Sequence, residues 1–134
     1  MQKGRQSAGR IAYTFLLMLV FVVSTTGVAA ASVDDLVNQL LTAIDHGNFS
    51  LGSGDLNSRQ LHAHHVVNII EGEDGPNFDA SKGNPGNGYG AINYAQELAA
   101  AGDTVSFSVV SYLEWANEKA LLATQTADYD EAGE

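Results

Sequence analysis

The chain has no cysteine, only two prolines and only six basic residues among its 134 residues. Without cysteine it can form neither a disulfide nor a thiol-linked lipid anchor, so a packed core must supply its stability. Three of the basic residues lie in the first ten positions, and all sixteen acidic residues follow Ala31. The segment after Ala31 thus sets 3 basic against 16 acidic residues, a formal charge of −13. This charge argues against nucleic acid and anionic membrane surfaces as partners.

The first 31 residues have the three-part pattern of a secretory signal peptide. Three basic residues precede an apolar run from Ile11 to Val23, and small residues then fit cleavage after Ala30 or Ala31. An uncleaved membrane anchor is the alternative, because residues 11–31 are long enough to span a bilayer. The Ser/Thr/Gly/Ala-rich end of this stretch and the lack of a positive flank favour cleavage. The sequence therefore predicts an extracytoplasmic protein, periplasmic or secreted, with no stable membrane insertion.

Residues 32–126 are predicted to form one all-α domain, followed by an acidic tail over residues 127–134. Apolar residues recur at helical spacing in four segments bounded by capping residues and glycines. The predicted helices run from Ser32 to His46, ended by Gly47; from about Ser58 to Glu71, capped by Asn57 or Ser58; from Ala91 to Ala101, ended by Gly102; and from a cap at Asp103 or Thr104 to about Thr126. Such helices predict a four-helix bundle in up-down-up-down order, with the first two and the last two paired as hairpins.

The second predicted helix carries three of the four histidines of the chain. His62 and His65 are three residues apart, so they share one helix face at the edge of the apolar arc. His64 falls on the opposite face with Asn68 and Glu71, which predicts an exposed polar surface there.

His62 and His65 are the candidate metal ligands, since neutral imidazole is the commonest metal-binding side chain. A structural zinc ion takes four protein ligands and a catalytic one takes three, so another helix must contribute. Possible partners are Asn117, Glu114 and Glu118 on the fourth helix, and His46 at the end of the first. The cofactor would be a divalent transition metal or haem. Two alternatives stay open: the pair hydrogen-bonds a core amide or carbonyl across a polar seam, or it relays protons.

The connection from Glu73 to Gly90 contains both prolines and five glycines. Loops this long in a small domain are usually functional or disordered. Asn77, Asp79 and Ser81 match the first three ligand positions of a calcium loop. The match then ends, because Lys82 replaces the required glycine and Gly88 the bidentate glutamate. The loop thus lacks the carboxylate that tight calcium binding requires.

Two motifs in this region resemble a group of exported bacterial helical domains that has no established activity. The first, His-Ala-x-His-Val-x-Asn-x-x-Glu-Gly, begins at His62, and the second, Asn-Pro-Gly-x-Gly-x-Gly, begins at Asn84. The resemblance covers about Leu61 to Tyr94 and implies export and a helical fold. Members of the group often carry glutamate in place of His64 and a longer, calcium-like acidic loop.

No nucleophilic triad, phosphate-binding loop or distinctive carboxylate pair occurs in the sequence. The sequence favours a small exported, non-enzymatic structural or interaction module with an unidentified protein partner. A metal- or haem-binding bundle that uses His62 and His65 is the alternative.

Overall fold

The computed structural model describes residues 31–127, and this part of the chain is all-helical. It contains α1 (Val33–Gly52), α2 (Leu56–Glu71), α3 (Ala91–Ala100), α4 (Thr104–Gln125) and a short 3₁₀ turn (Ala80–Lys82). The prediction of an all-α, four-helix bundle is confirmed. The predicted signal peptide up to Ala30 and the acidic tail beyond Ala127 lie outside the described residues.

Side-chain caps determine where three of the helices begin. Ser32 accepts a hydrogen bond from the Asp35 amide at the start of α1, and Asp103 caps α4 in the same way. Asp55 caps α2 by accepting from the Ser58 amide at 2.9 Å, so the predicted cap at Asn57 or Ser58 is wrong. Each cap satisfies an amide that has no partner inside its helix.

Helix α1 does not end at Gly47 as predicted, but continues to Gly52. Its last turns pack against the start of α2, where the buried Ser50 hydroxyl donates to the Arg59 carbonyl at 2.9 Å. These contacts keep the chain helical through Gly47, although glycine costs a helix interior about 0.5–1 kcal/mol relative to alanine. Tertiary packing thus overrides a local stop signal.

The helices pack as two antiparallel hairpins, α1 with α2 and α3 with α4, joined mainly through contacts of α2 with α4. The Gln60 side chain, near the start of α2, donates to the carbonyl of Thr126 at the end of α4. Helices α2 and α4 are therefore antiparallel, and the up-down alternation applies within each hairpin but not across the loop that joins them. The central core combines one or two residues from each helix: Leu36, Ile70, Ala91, Ala95 and Leu113.

Only part of the apolar stripe of α1 reaches this core. Leu36 is buried and Leu40 packs against the core, whereas Val37, Leu41 and Ile44 are exposed. Within residues 31–127, no helix combines the length and the apolar character needed to cross a membrane.

We expect Gly47→Ala to raise the free energy of unfolding by about 0.5–1 kcal/mol, because an alanine Cβ meets nothing within 4 Å and favours the helix. Gly102→Ala is the matched control, since its Cβ is equally free of contacts but its φ is +100°. That left-handed backbone should make Gly102→Ala destabilising by about 1 kcal/mol. Urea unfolding followed by circular dichroism measures both values, and destabilisation by Gly47→Ala would contradict a continuous α1.

Candidate metal centre

Three histidines from two helices meet between α1 and α2. The Nδ1 atom of His46 lies 3.1 Å from Nδ1 of His62 and 3.1 Å from Nδ1 of His65. The three side chains are half-buried, and their ligand nitrogens all lie within 4.8 Å of one another. The structure therefore brings the predicted pair together with His46, which the sequence offered only as a further possibility.

The register of the α1–α2 hairpin explains this meeting. The chain turns around Gly54, and antiparallel helices place residues at equal distances from their turn side by side. His46 precedes Gly54 by eight residues and His62 follows it by eight. The sequence thus contained a signal for the third histidine, but the predicted stop at Gly47 removed the turns of α1 that set this register.

A carbonyl group of the loop that follows α2 determines which ring nitrogen of His65 carries a proton. Nε2 of His65 lies 2.7 Å from the carbonyl oxygen of Lys82, which can only accept a hydrogen bond. Nε2 therefore carries a proton, and in neutral His65 the Nδ1 lone pair faces His46. A metal-binding histidine commonly donates its second ring N–H to a carbonyl in this way, which fixes its tautomer and orientation.

The electrostatic environment favours neutral imidazoles. Desolvation, followed by the nearby His65 and His62, lowers the pKa of His46 below its usual range, while Asp45 opposes the shift. Desolvation and then His65 likewise lower the pKa of His62. Neutral rings keep the lone pairs that a metal ion requires.

The polar residues predicted on helix four lie away from this cluster. Asn117 donates to Oε1 of Glu71 at 2.6 Å, because α4 packs on a different face of α2 from α1. Glu114 is exposed and lines a groove between α3 and α4, and Glu118 is exposed. The structure thus places His46, and not these three residues, beside the histidine pair.

The predicted exposed face of His64, Asn68 and Glu71 is wrong for two of its members. Asn68 is fully buried and Glu71 is 6% exposed, because the loop that follows α2 folds back over them. His64 is half-buried, and desolvation, followed by the charge of Lys82, lowers its pKa.

Asn68 fixes the loop above the cluster with three hydrogen bonds. Its Nδ2 donates to the carbonyls of Asp79 and Gly83 at 2.9 and 2.7 Å, and its Oδ1 accepts from the Asp79 amide at 2.9 Å. Asp79 in turn caps the 3₁₀ turn that ends at Lys82, the residue whose carbonyl meets His65. Asn68 therefore positions the backbone that orients His65.

Glu71 fixes the first part of the same loop. Oε2 accepts from the Asn77 amide at 2.7 Å, and Oε1 accepts from the side chain of Asn77 as well as from Asn117. The predicted calcium-loop side chains are thus occupied elsewhere, since Asn77 binds Glu71 and the Asp79 carboxylate binds Ser81.

Glycines allow the two ends of the loop to meet. A Cβ on Gly72 would lie 2.4 Å from the Tyr89 carbonyl oxygen, and one on Gly90 would lie 2.5 Å from that of Glu71. Both residues also have positive φ, so glycine is required there for space and for conformation.

Comparisons of the chain with protein-family models, curated proteins and solved structures gave no match, so the functional argument rests on this geometry.

We expect Asn68→Ala to lower the free energy of unfolding by about 2–4 kcal/mol, because three hydrogen bonds of a buried amide are lost and the Gly83 carbonyl and the Asp79 amide lose their partner, whereas the Asp79 carbonyl still accepts from the Lys82 amide. Asn57→Ala, an exposed change on the same helix, should stay within about 0.5 kcal/mol of the parent. Urea unfolding checks both values. If Asn68→Ala changed the free energy of unfolding as little as Asn57→Ala does, other contacts would hold the loop in place.

Proposed function

We propose that the protein binds one divalent transition metal ion through Nδ1 of His46, His62 and His65. The observation that carries this proposal is the convergence of two Nδ1 atoms on a third at 3.1 Å. With metal–nitrogen bonds of about 2.0–2.1 Å, ligand nitrogens lie roughly 2.9 Å apart in octahedral and 3.3 Å apart in tetrahedral geometry. The two distances from His46 fall between these values, and the ligand atoms of His62 and His65 lie within 4.8 Å of each other, so a shift of these two side chains toward a common ion completes the geometry.

Hydrogen bonding among the rings can supply only one proton to the three Nδ1 atoms, as a bifurcated bond from His46 to His62 and His65. A neutral imidazole has one N–H, so Nδ1 of His46 can either donate one proton or accept with one lone pair. It nevertheless faces two Nδ1 atoms at the same distance. A metal ion in place of that proton satisfies all three lone pairs.

The geometry favours a single ion over haem. Two axial ligands of a haem iron lie on opposite faces of the porphyrin, with nitrogens separated by about twice a metal–nitrogen bond of about 2 Å. The observed 3.1 Å separations leave no space for a macrocycle between His46 and either of the other rings, so they exclude a haem iron that takes such a pair as its two axial ligands. Imidazole ligands suit zinc, copper, nickel and iron ions.

Export, as predicted from the N-terminal segment, remains part of this proposal. An exported, cysteine-free and acidic chain that binds a metal through histidine alone would retain its ligands under oxidising conditions, since imidazole is not subject to thiol oxidation. A proteomic assay of the extracytoplasmic fraction for chains that begin at residue 31 or 32 tests this part, and recovery of only the full-length chain would contradict cleavage.

Isothermal titration with Zn²⁺ should give one ion per chain, and each of His46→Ala, His62→Ala and His65→Ala should weaken binding by at least about tenfold through loss of a ligand. His64→Ala is the matched control on the same helix and should bind like the parent. Affinity should also fall as the pH is lowered below about 6.5, because protons compete for the imidazoles.

Two outcomes would contradict the metal proposal. One is the absence of stoichiometric binding by the parent protein. The other is an equal loss of affinity in His64→Ala and His62→Ala, which would indicate nonspecific binding by surface histidines.

An interaction role is a second candidate, favoured by apolar side chains exposed on α1 and α4. Leu41 and Ile44 project from α1, and Trp115, 62% exposed, projects from α4. Monomers seldom expose large contiguous apolar patches. Because Trp115 is the only tryptophan, its fluorescence reports on the exposed face of α4. We expect a blue shift with rising protein concentration if copies associate through α4, and a constant spectrum would argue against self-association through this helix.

A further inference from the structure

The histidine cluster provides three ligands and no fourth. Among residues 31–127, the group of ligand atoms close enough to share one ion consists of His46, His62 and His65, without a carboxylate. Structural zinc sites are closed by four protein ligands, whereas sites with three protein ligands keep one position for water or an external molecule. The cluster has the second composition.

The cluster is also accessible. All three imidazoles are half-buried, and the aromatic neighbour Phe49 is 53% exposed. The ring of Phe49 lies 5.5 Å from that of His46 and 5.4 Å from that of His62. One apolar side chain thus borders the cluster without enclosing it.

Charge determines the kind of ligand that this position prefers. Three neutral imidazoles contribute no negative charge to the coordination shell of a divalent ion, so an anion is favoured over a neutral molecule as a further ligand, although the Asp45 carboxylate acts on His46 from nearby. The rest of the chain opposes this at long range, because its formal net charge is −10. The ion attracts at contact distance, whereas the distributed negative charge is weakened by salt.

We propose that the metal ion bound by His46, His62 and His65 takes a small monodentate anion from solution as its fourth ligand. This inference rests on the proposed metal binding. It gives the metal ion one coordination position that is open to solvent. A purely structural metal site, in contrast, has all its positions filled by protein ligands.

Cobalt(II) tests metal binding by the three histidines, and azide separately tests anion binding to the metal ion. The purified full chain is loaded with Co²⁺, whose visible spectrum reports metal binding, and is then titrated with sodium azide. We expect a saturable change in the visible bands with one azide per ion. The apparent affinity should rise several-fold when ionic strength is increased with perchlorate, because long-range repulsion is screened.

The outcomes distinguish this inference from the proposed function. If no Co²⁺ spectrum forms, the metal proposal itself fails. If the Co²⁺ spectrum forms but azide leaves it unchanged, the ion is coordinatively closed and only the present inference fails. His64→Ala, which retains all three ligands, should respond to azide like the parent. A response lost in this variant would place the anion beside His64 and Lys82 and would overturn the assignment.

Discussion

The hydrogen bonds of Asn68 are the interaction on which the rest of the structure depends. This fully buried amide uses both donors and its oxygen to bind the backbone of the long loop. The bound segment includes the 3₁₀ turn that ends at Lys82, and the Lys82 carbonyl fixes the second nitrogen of His65. A single side chain in α2 thus connects loop conformation with imidazole orientation, which is the property that a metal site needs from its surroundings.

Glu71 has a complementary role, because it links α2, the loop and α4 at one point. A carboxylate with 6% exposure is costly to bury unless it is well solvated by the protein. Here the compensation comes from amide donors of Asn77 and Asn117, with no cation among these hydrogen bonds. The end of α2 is therefore a polar junction that fixes how the two hairpins meet, while the apolar core lies beside it.

The sequence predicted the helices better than the surfaces they present. Periodicity identified all four helices, and the all-α bundle is confirmed, because apolar spacing and capping are local signals. Gly47 was misread, since contacts of the last turns of α1 with α2 outweigh the local cost of glycine. A helical wheel placed Asn68 and Glu71 in solvent, because it contains no information about a loop that folds back over the helix. The same limit left His46 as only one of four possible partners, because its position depends on the register between two helices.

The polar contacts described above differ in how far apart their two residues lie in the sequence, and this separation determines the conformational entropy lost when each contact forms. Asn68 binds residues 11 and 15 positions away, and Glu71 binds Asn77 only 6 positions away. The contact of Gln60 with Thr126 instead joins residues that are 66 positions apart, and so closes a much longer loop. Because closure entropy grows with the logarithm of length, closing 66 positions rather than 11 costs about 1.6 kcal/mol more. The loop can therefore pack on α2 at a lower entropic cost than the contact between the start of α2 and the end of α4 requires.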